Sequence, residues 1–335
     1  TMLLGNGLYG WGGPFVMGVT DGTLMAASQA FAFGGGFYAA YSYTKNMELP
    51  YGRWQFQSAG AALGGLSFFP LVVTVGIDNW ADFDKSGKIS MLYIMSMIPY
   101  GVVQADKRYN EWSLTNGQAS VIAGSIPWGF ANALGVLTLA YGDNWPDNAV
   151  MNRLHALALY GAGYGAPFFA KQYIQDKSYT EDDALYIGFS MGLGMFNALS
   201  TISLLEADNI RAITALMIGI TNGYGYLANS LIEDKDLRKG DLRIISLGTG
   251  AAFIIRTGFG ILFEEVNPFS KTGILLNMAA LNTGWYYTFK WVAGDNHKNS
   301  YLKENKKGMS LSLKPILMSR YSSPIPGLRL QATFF

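Results

Sequence analysis

The sequence predicts a mainly α-helical protein, embedded in a membrane and built from about five tandem glycine-rich helical-hairpin repeats, with a β-hairpin at its C-terminus. Three observations support this fold class: segments that recur at intervals of roughly 60 residues, apolar runs long enough to cross a bilayer, and an alternating tail. Charged residues form 14% of the 335 residues and apolar residues 50%. Soluble domains carry about 25% charged residues, so the composition favours lipid over water.

Two types of apolar segment alternate along the chain. Segments of the first type begin with polar residues, carry a small residue followed by an aromatic one, and end in charged residues. They lie at residues 208–240, 147–176, 84–107 and 267–295, with a less clear copy at 20–45. Segments of the second type open with a short polar step and run through Gly, Ala and Leu; they lie at residues 52–77, 117–142, 183–206 and 241–264.

Each repeat is therefore predicted to be a hairpin of two apolar passes, and residues 1–296 would form one continuous repeat domain. Because every unit contains two passes, successive units share one orientation, unlike the inverted repeats of many transporters. Each pass has about 20 residues, which at 1.5 Å per residue crosses the roughly 30 Å hydrocarbon core.

Helices are favoured over strands for these passes. In residues 150–173 the apolar side chains of Val150, Leu154 and Leu157 follow helical spacing, and small residues on one side permit close helix packing in lipid. A transmembrane β-barrel is the alternative, because residues 54–60 show some alternation. A water-soluble helical solenoid with a glycine-rich core is a further alternative.

The turns carry a charge asymmetry. Turns that follow first-type segments hold ten basic residues, whereas the opposite turns hold acidic residues and few bases. In an inner membrane, this asymmetry would place the basic turns in the cytoplasm. The net charge of +1 gives no indication of nucleic-acid binding. The basic set is Lys45, Arg53, Lys107, Arg108, Lys171, Lys177, Lys235, Arg238, Lys239 and Arg243.

The C-terminal tail differs from the repeats. Residues 297–308 form a polar linker, and residues 309–335 contain two alternating runs separated by turn residues, which predicts a β-hairpin. This tail resembles the closing strands of Gram-negative outer-membrane proteins, which end in an alternating strand with a terminal aromatic residue, here Phe335. The resemblance implies placement in the bacterial outer membrane, with the inner membrane as the alternative. The repeats also resemble glycine-rich hairpin repeats of uncharacterised exported bacterial membrane proteins.

One short motif predicts a metal site. It resembles an EF-hand calcium loop, with oxygen-bearing side chains at its first, third and fifth positions and a glycine at the sixth. It departs from that pattern at the twelfth position, where Tyr93 replaces the bidentate glutamate. The alternative is an acidic turn that caps the next helix. The candidate Ca²⁺ ligands are Asp82, Asp84, Ser86 and Lys88.

Three basic or titratable residues lie within apolar segments and are candidates for function on that ground. Arg256 falls in the middle of its segment, where it would form either a buried structural pair or a charge lining a pore. Arg153 and His155 lie near the start of another segment, where both would reach the membrane interface if they serve no function.

Repetition without a concentrated polar site predicts a non-enzymatic structural or assembly component of a larger bacterial envelope complex. Its partners would be membrane lipid and either other envelope proteins or further copies of itself, with no cofactor other than possible calcium. The absence of cysteine excludes disulfides and thiolate chemistry. The alternative is a transporter, channel or porin for small solutes, with Arg256 and Arg153 facing a polar path. A calcium-dependent surface module is the third possibility.

Overall fold

The protein is mainly helical, which confirms the mainly α-helical part of the predicted fold class. The computed structural model describes residues 5–45, 50–70, 83–146, 148–233, 235–262, 267, 269–294, 309–319 and 324–334. A short π-helical segment (Gly5–Gly10) opens the described chain. The α-helices that follow are α1 (Trp11–Met17), α2 (Gly22–Thr44), α3 (Tyr51–Leu66), α4 (Phe83–Glu111), α5 (Asn116–Tyr141), α6 (Ala149–Ile174), α7 (Glu181–Leu205), α8 (Ile210–Ile232), α9 (Asp241–Leu262) and α10 (Lys271–Ala293).

Polar residues just before the apolar runs fix where many of these helices begin. The side chains of Asp21, Asn148, Asn209 and Ser270 each accept hydrogen bonds from backbone N–H groups of the first turn. These N–H groups have no partner within the helix, so each cap contributes about 1 kcal/mol to helix stability. Thr115 adds a reciprocal capping box at the start of α5.

The helices from α3 onwards pack as consecutive pairs: α3 with α4, α5 with α6, α7 with α8, and α9 with α10. The first members also contact one another in succession, α3 with α5, α5 with α7, and α7 with α9. We call these four helices the front layer and their partners the back layer. The front helices α5 and α7 additionally contact the back helices α8 and α10 of the next pair.

Glycines allow the two layers to approach closely. A methyl group on Gly64 of α3 would collide with the carbonyl oxygen of Met97 in α4, and one on Gly101 of α4 would collide with the carbonyl oxygen of Gly60. Small residues at such crossings are the usual means of helix packing in lipid. The glycine content therefore has a direct packing role between α3 and α4.

An aromatic cluster of the core lies between α7 and α10. The ring of Tyr186 stacks on Trp285 and Phe289, at centroid distances of 5.9 and 4.8 Å. The Trp285 indole Nε1 donates a hydrogen bond of 3.0 Å to the hydroxyl oxygen of Ser190. All four side chains are buried, so this cluster fixes how the last helix pair sits against the preceding one.

Three front-layer helices are long and apolar enough to cross a membrane: α5, α7 and residues Asp241–Gly260 of α9. This finding supports a membrane protein. The alternative of an outer-membrane β-barrel is wrong, because the segments that it would require as strands are helices. Leu, Ala and Met favour helix, and a helix satisfies its backbone polar groups internally in lipid.

The backbone of the tail contains the strands β1 (Met309–Ser319) and β2 (Pro324–Phe334). They pair antiparallel, with Met309 opposite Phe334 and Ser319 opposite Pro324. The tail's side chains and the terminal Phe335 lie outside the described residues. The packed C-terminal β-hairpin of the outer-membrane type therefore stays a prediction, as do the tandem repeats.

Candidate functional site

One candidate binding surface is a groove across the outward face of the front layer. It has a volume of about 820 Å³ and is formed by α3, α5 and α7. Small side chains form its floor: Ser58 and Ala62 from α3, Gly124 and Pro127 from α5, and Gly188 from α7. We call this surface the front groove.

The glycines of the front groove are not needed for packing inside the chain. A Cβ atom built on Gly124 or Gly188 would meet no atom within 4 Å in the described structure. The same holds for Gly192, one turn further along the exposed side of α7. A glycine inside a helix costs about 1 kcal/mol relative to alanine. Glycines at positions that no atom of the described chain approaches are consistent with a partner that packs on them from outside.

Two polar side chains line the front groove without satisfying their hydrogen-bonding capacity. The Gln55 Oε1 and Ser120 Oγ atoms are buried and have no hydrogen-bond partner in the described part of the chain. Ser120 is only 7% exposed. Leaving such a group unpaired costs about 1–3 kcal/mol. Both residues line the groove, so a partner bound there would pack over two unpaired polar groups.

Large apolar side chains continue from the small-residue floor along the same faces. Leu66 lies at the groove, and Leu134 and Leu199 lie further along α5 and α7. Trp54 is about half exposed at the other end. The groove is thus mostly apolar, with two isolated polar groups and no cluster of titratable side chains among its described lining residues.

A second cavity, of about 630 Å³, lies among the turns that precede α7 and α9. Asp182 lines it and accepts hydrogen bonds from the backbone N–H groups of Gly240 and Leu242, at 2.8 and 3.1 Å. The next residue, Asp183, accepts from the N–H groups of Leu237 and Thr180, at 2.9 and 2.8 Å. Both carboxylates are buried and hold the turn before α9 against the start of α7, which is a structural role.

Amide side chains join the layers within the apolar segments. Asn222 of α8 donates to the Asn132 side-chain oxygen of α5 at 2.7 Å. Asn282 of α10 donates to the Asn197 side-chain oxygen of α7 at 2.8 Å, and the Tyr224 hydroxyl donates to Asn282 at 2.5 Å. Sequence reasoning missed these pairs, although an asparagine within an apolar run is itself a signal for interhelical hydrogen bonding.

Arg256 lies within the part of α9 that is long and apolar enough to cross a membrane. Its Nε, Nη1 and Nη2 atoms are buried and have no hydrogen-bond partner in the described residues. Arg256 does not line the front groove. A buried guanidinium without a partner in such a segment is unusual and marks a functional candidate.

His155 and Arg153 lie in the second turn of α6, on a different helix pair from Arg256. The His155 ring is buried against Tyr141 and Trp145, at centroid distances of 4.9 and 5.5 Å. Its Nε2 atom has no hydrogen-bond partner among the described residues. The environment of His155 is therefore aromatic, and its suggested role stays a prediction.

The proposed calcium loop falls partly outside the described residues. Asp82 is outside them, and Asp84, Ser86 and Lys88 lie in the first turns of α4. Within the described part of the chain, no group of three or more His, Asp or Glu side chains is arranged to hold a metal ion. Calcium binding stays a prediction.

Two turns at opposite ends of the helices carry shifted pKa values. Burial raises the pKa of Tyr179, whose hydroxyl donates to the Asn229 side-chain oxygen at 2.6 Å. At the other end, the Lys271 ammonium lies 2.7 Å from the Glu206 carboxylate. Its hydrogen bond and charge lower the pKa of Glu206, and the ion pair connects the turn after α7 to the start of α10.

Comparison with protein-family models, with curated proteins and with solved structures found no match. The geometry therefore defines only a class of protein: a mainly helical protein with three helices that are long and apolar enough to cross a membrane.

Proposed function

We propose that the protein is a non-enzymatic structural or assembly component of a larger bacterial envelope complex, and that the front groove receives a transmembrane helix of a partner protein. The observation that carries this proposal is the unpaired Ser120 hydroxyl and Gln55 carbonyl oxygen above a glycine floor. Lipid tails cannot hydrogen-bond to these groups, whereas a polar side chain on a partner helix can.

The small floor residues agree with a helical partner. In lipid, helices associate through close backbone approach and interhelical hydrogen bonds, and small residues spaced four apart favour both. Gly188 and Gly192 have this spacing on the exposed side of α7. The groove crosses three helices of one layer, so one partner helix would bind to all three.

The non-enzymatic assignment is supported by how polar side chains are used. Asp182 and Asp183 bind backbone N–H groups, and the asparagines of the two layers bind one another. These bonds serve packing. We propose no metal or cofactor for the complex.

We also propose that the helix pairs are tandem repeats. Ser67, Asn132 and Asn197 are polar residues of the front-layer segments and follow one another at intervals of about 65 residues. Asn132 and Asn197 each bond to the back helix of the next pair. Helical spans favour the inner membrane over the outer one, with the basic turns facing the cytoplasm; the resemblance of the tail favours the outer membrane.

Binding in the front groove can be tested by replacing one glycine of the groove with leucine and comparing it with the same replacement at a matched glycine outside the groove. Gly188→Leu would fill the groove without a clash inside the chain, and Gly219→Leu on α8 changes an equally open glycine outside it. A photo-activatable cross-linker at Ser58 in native membranes should yield one discrete adduct. We expect Gly188→Leu to abolish the adduct and Gly219→Leu to preserve it.

The Gly219→Leu control distinguishes loss of binding in the front groove from general misfolding. Equal loss in both variants would indicate misfolding, which far-UV circular dichroism of each purified variant would reveal. An adduct that survives Gly188→Leu in a folded protein would contradict binding in the front groove.

A second candidate function is passage of small solutes, as a transporter or channel. The specific observation in its favour is the unpaired Arg256 guanidinium within a membrane-crossing segment, because such charges commonly line solute paths. In proteoliposomes, this function predicts anion flux that Arg256→Leu reduces and Arg243→Leu, at the exposed end of α9, leaves unchanged. Absence of flux from the wild-type protein would eliminate it.

A further inference from the structure

A separate cavity lies on the other side of the molecule, between the back-layer helices α4 and α6. It has a volume of about 120 Å³ and reaches inward to Phe56 and Leu63 of α3 and Ile126 of α5. Its outer edge includes Tyr100, which is 54% exposed. The cavity is therefore an apolar slot with access from the surface between two helices. We call it the back slot.

Two cations share one pair of aromatic rings at the end of the back slot. The guanidinium carbon of Arg108 lies 4.9 Å from the ring centre of Phe168, and the Lys171 ammonium lies 5.1 Å from the ring centre of Trp112. The two rings meet edge to face at 5.6 Å. Arg108 also donates a hydrogen bond of 2.9 Å to the Tyr164 hydroxyl. The aromatic pair thus connects the two cationic groups, one on each ring.

These two cations lack carboxylate partners in the described residues, whereas neighbouring cations have them. Lys107 lies 3.7 Å from Glu111, and Lys177 lies 3.1 Å from Glu233. Arg108 and Lys171 are also only partly exposed. The end of the back slot therefore carries two positive charges that nothing in the described structure neutralises.

We propose that the back slot binds an anionic phospholipid, with its phosphate between Arg108 and Lys171 and one acyl chain in the apolar slot. Guanidinium and ammonium groups bind phosphate oxygens through charge-assisted hydrogen bonds. Basic pockets between membrane helices on the cytoplasmic side are typical sites for anionic head groups. Trp112 and Phe168 each hold one of the two cations by a cation–π contact, and Trp is a residue type that is enriched at membrane interfaces.

A lipid accounts for the site better than a free phosphate does. The lining below Arg108 includes Leu63, Met97 and Ile126, a surface that an inorganic anion would leave empty. Methylene groups of an acyl chain would fill this surface and be removed from water, which is favourable. Charge at one end and apolar surface at the other match the two ends of a phospholipid.

The experiment measures lipid binding after two positive charges are removed at the back slot, and compares it with binding after two positive charges are removed outside the slot. The full chain in neutral detergent is titrated with phosphatidylglycerol or phosphatidylcholine, and bound lipid is counted by native mass spectrometry. We expect phosphatidylglycerol to bind at least about tenfold more tightly than phosphatidylcholine. Lys107→Gln with Lys177→Gln should preserve this binding, whereas Arg108→Gln with Lys171→Gln should weaken it about tenfold or more, because charged hydrogen bonds are lost.

Three results would overturn the proposal. The first is equal binding of the two lipids by the wild-type protein. The second is equal weakening by both double variants, which would show a general surface-charge effect. The third is competition by soluble glycerophosphoglycerol at the same concentration as the lipid, which would indicate a site for the phosphate group alone. Thermal unfolding of each variant without lipid checks that the helices remain folded.

Discussion

Asp183 should be among the most important single residues for stability, because its carboxylate connects the start of α7 to the turn before α9, 54 residues further along the chain. Asp183→Ala would leave the N–H groups of Leu237 and Thr180 without their acceptor. Asp183 is 1% exposed, so water cannot easily replace it. Each buried group left unpaired costs about 1–3 kcal/mol, which gives a predicted loss of roughly 4 kcal/mol.

Two further variants sharpen this prediction. Asp183→Asn keeps one acceptor oxygen and should lose roughly half as much stability. Glu181→Ala removes a carboxylate from the same first turn, one that binds no backbone group among the described residues. It should cost less than about 1 kcal/mol, the usual value for a charge at a helix N-terminus.

The measurement is equilibrium unfolding in mixed micelles, followed by the helical signal in far-UV circular dichroism. The expected order of stability is wild type, Glu181→Ala, Asp183→Asn, Asp183→Ala. A loss below about 1 kcal/mol for Asp183→Ala would refute the reasoning, because it would mean that the two N–H groups find other partners at little cost.

Three other changes are predicted from local geometry. Gly64→Ala should destabilise the protein by about 3 kcal/mol in the same unfolding assay, because its methyl group would meet a carbonyl oxygen of α4. Asn282→Leu should cost about 1–2 kcal/mol, and a double-mutant cycle with Asn197→Leu should show coupling. In NMR titrations the Glu206 carboxyl should titrate below its usual pKa, and Lys271→Gln should restore it. The small stabilisation from this exposed pair should be present above the ordinary pKa of glutamate and be lost as the pH falls through the lowered value.

The positions of the helices could be predicted from sequence because their signals are local. The run at residues 150–173 becomes α6 (Ala149–Ile174), and that at 183–206 becomes α7 (Glu181–Leu205). A capping residue before an apolar run of fixed length defines each of these helices within a few residues. The same local signals favoured helix over the β-barrel alternative.

The binding surfaces could not be predicted, because they depend on how separate helices align. Gln55 and Ser120 belong to different helices, and only the packing of α3 against α5 brings both into the front groove. Arg108 and Lys171 likewise appear in sequence as ordinary basic residues of two turns. Their shared aromatic pair arises from the lateral placement of α4 and α6, which no spacing rule specifies.

The hydrogen bond between Asn132 and Asn222 sets an order of events during synthesis. The two residues are 90 positions apart, so at ordinary translation rates Asn222 follows Asn132 by about 5–18 seconds. During that interval α5 and α6 can associate, but the Asn132 side chain is without its final partner. Until α8 is made, a translocon, a chaperone or a neighbouring protein can cover the Asn132 side chain. The interval before α8 arrives is thus a defined window in which assembly with other chains competes with completion of the fold.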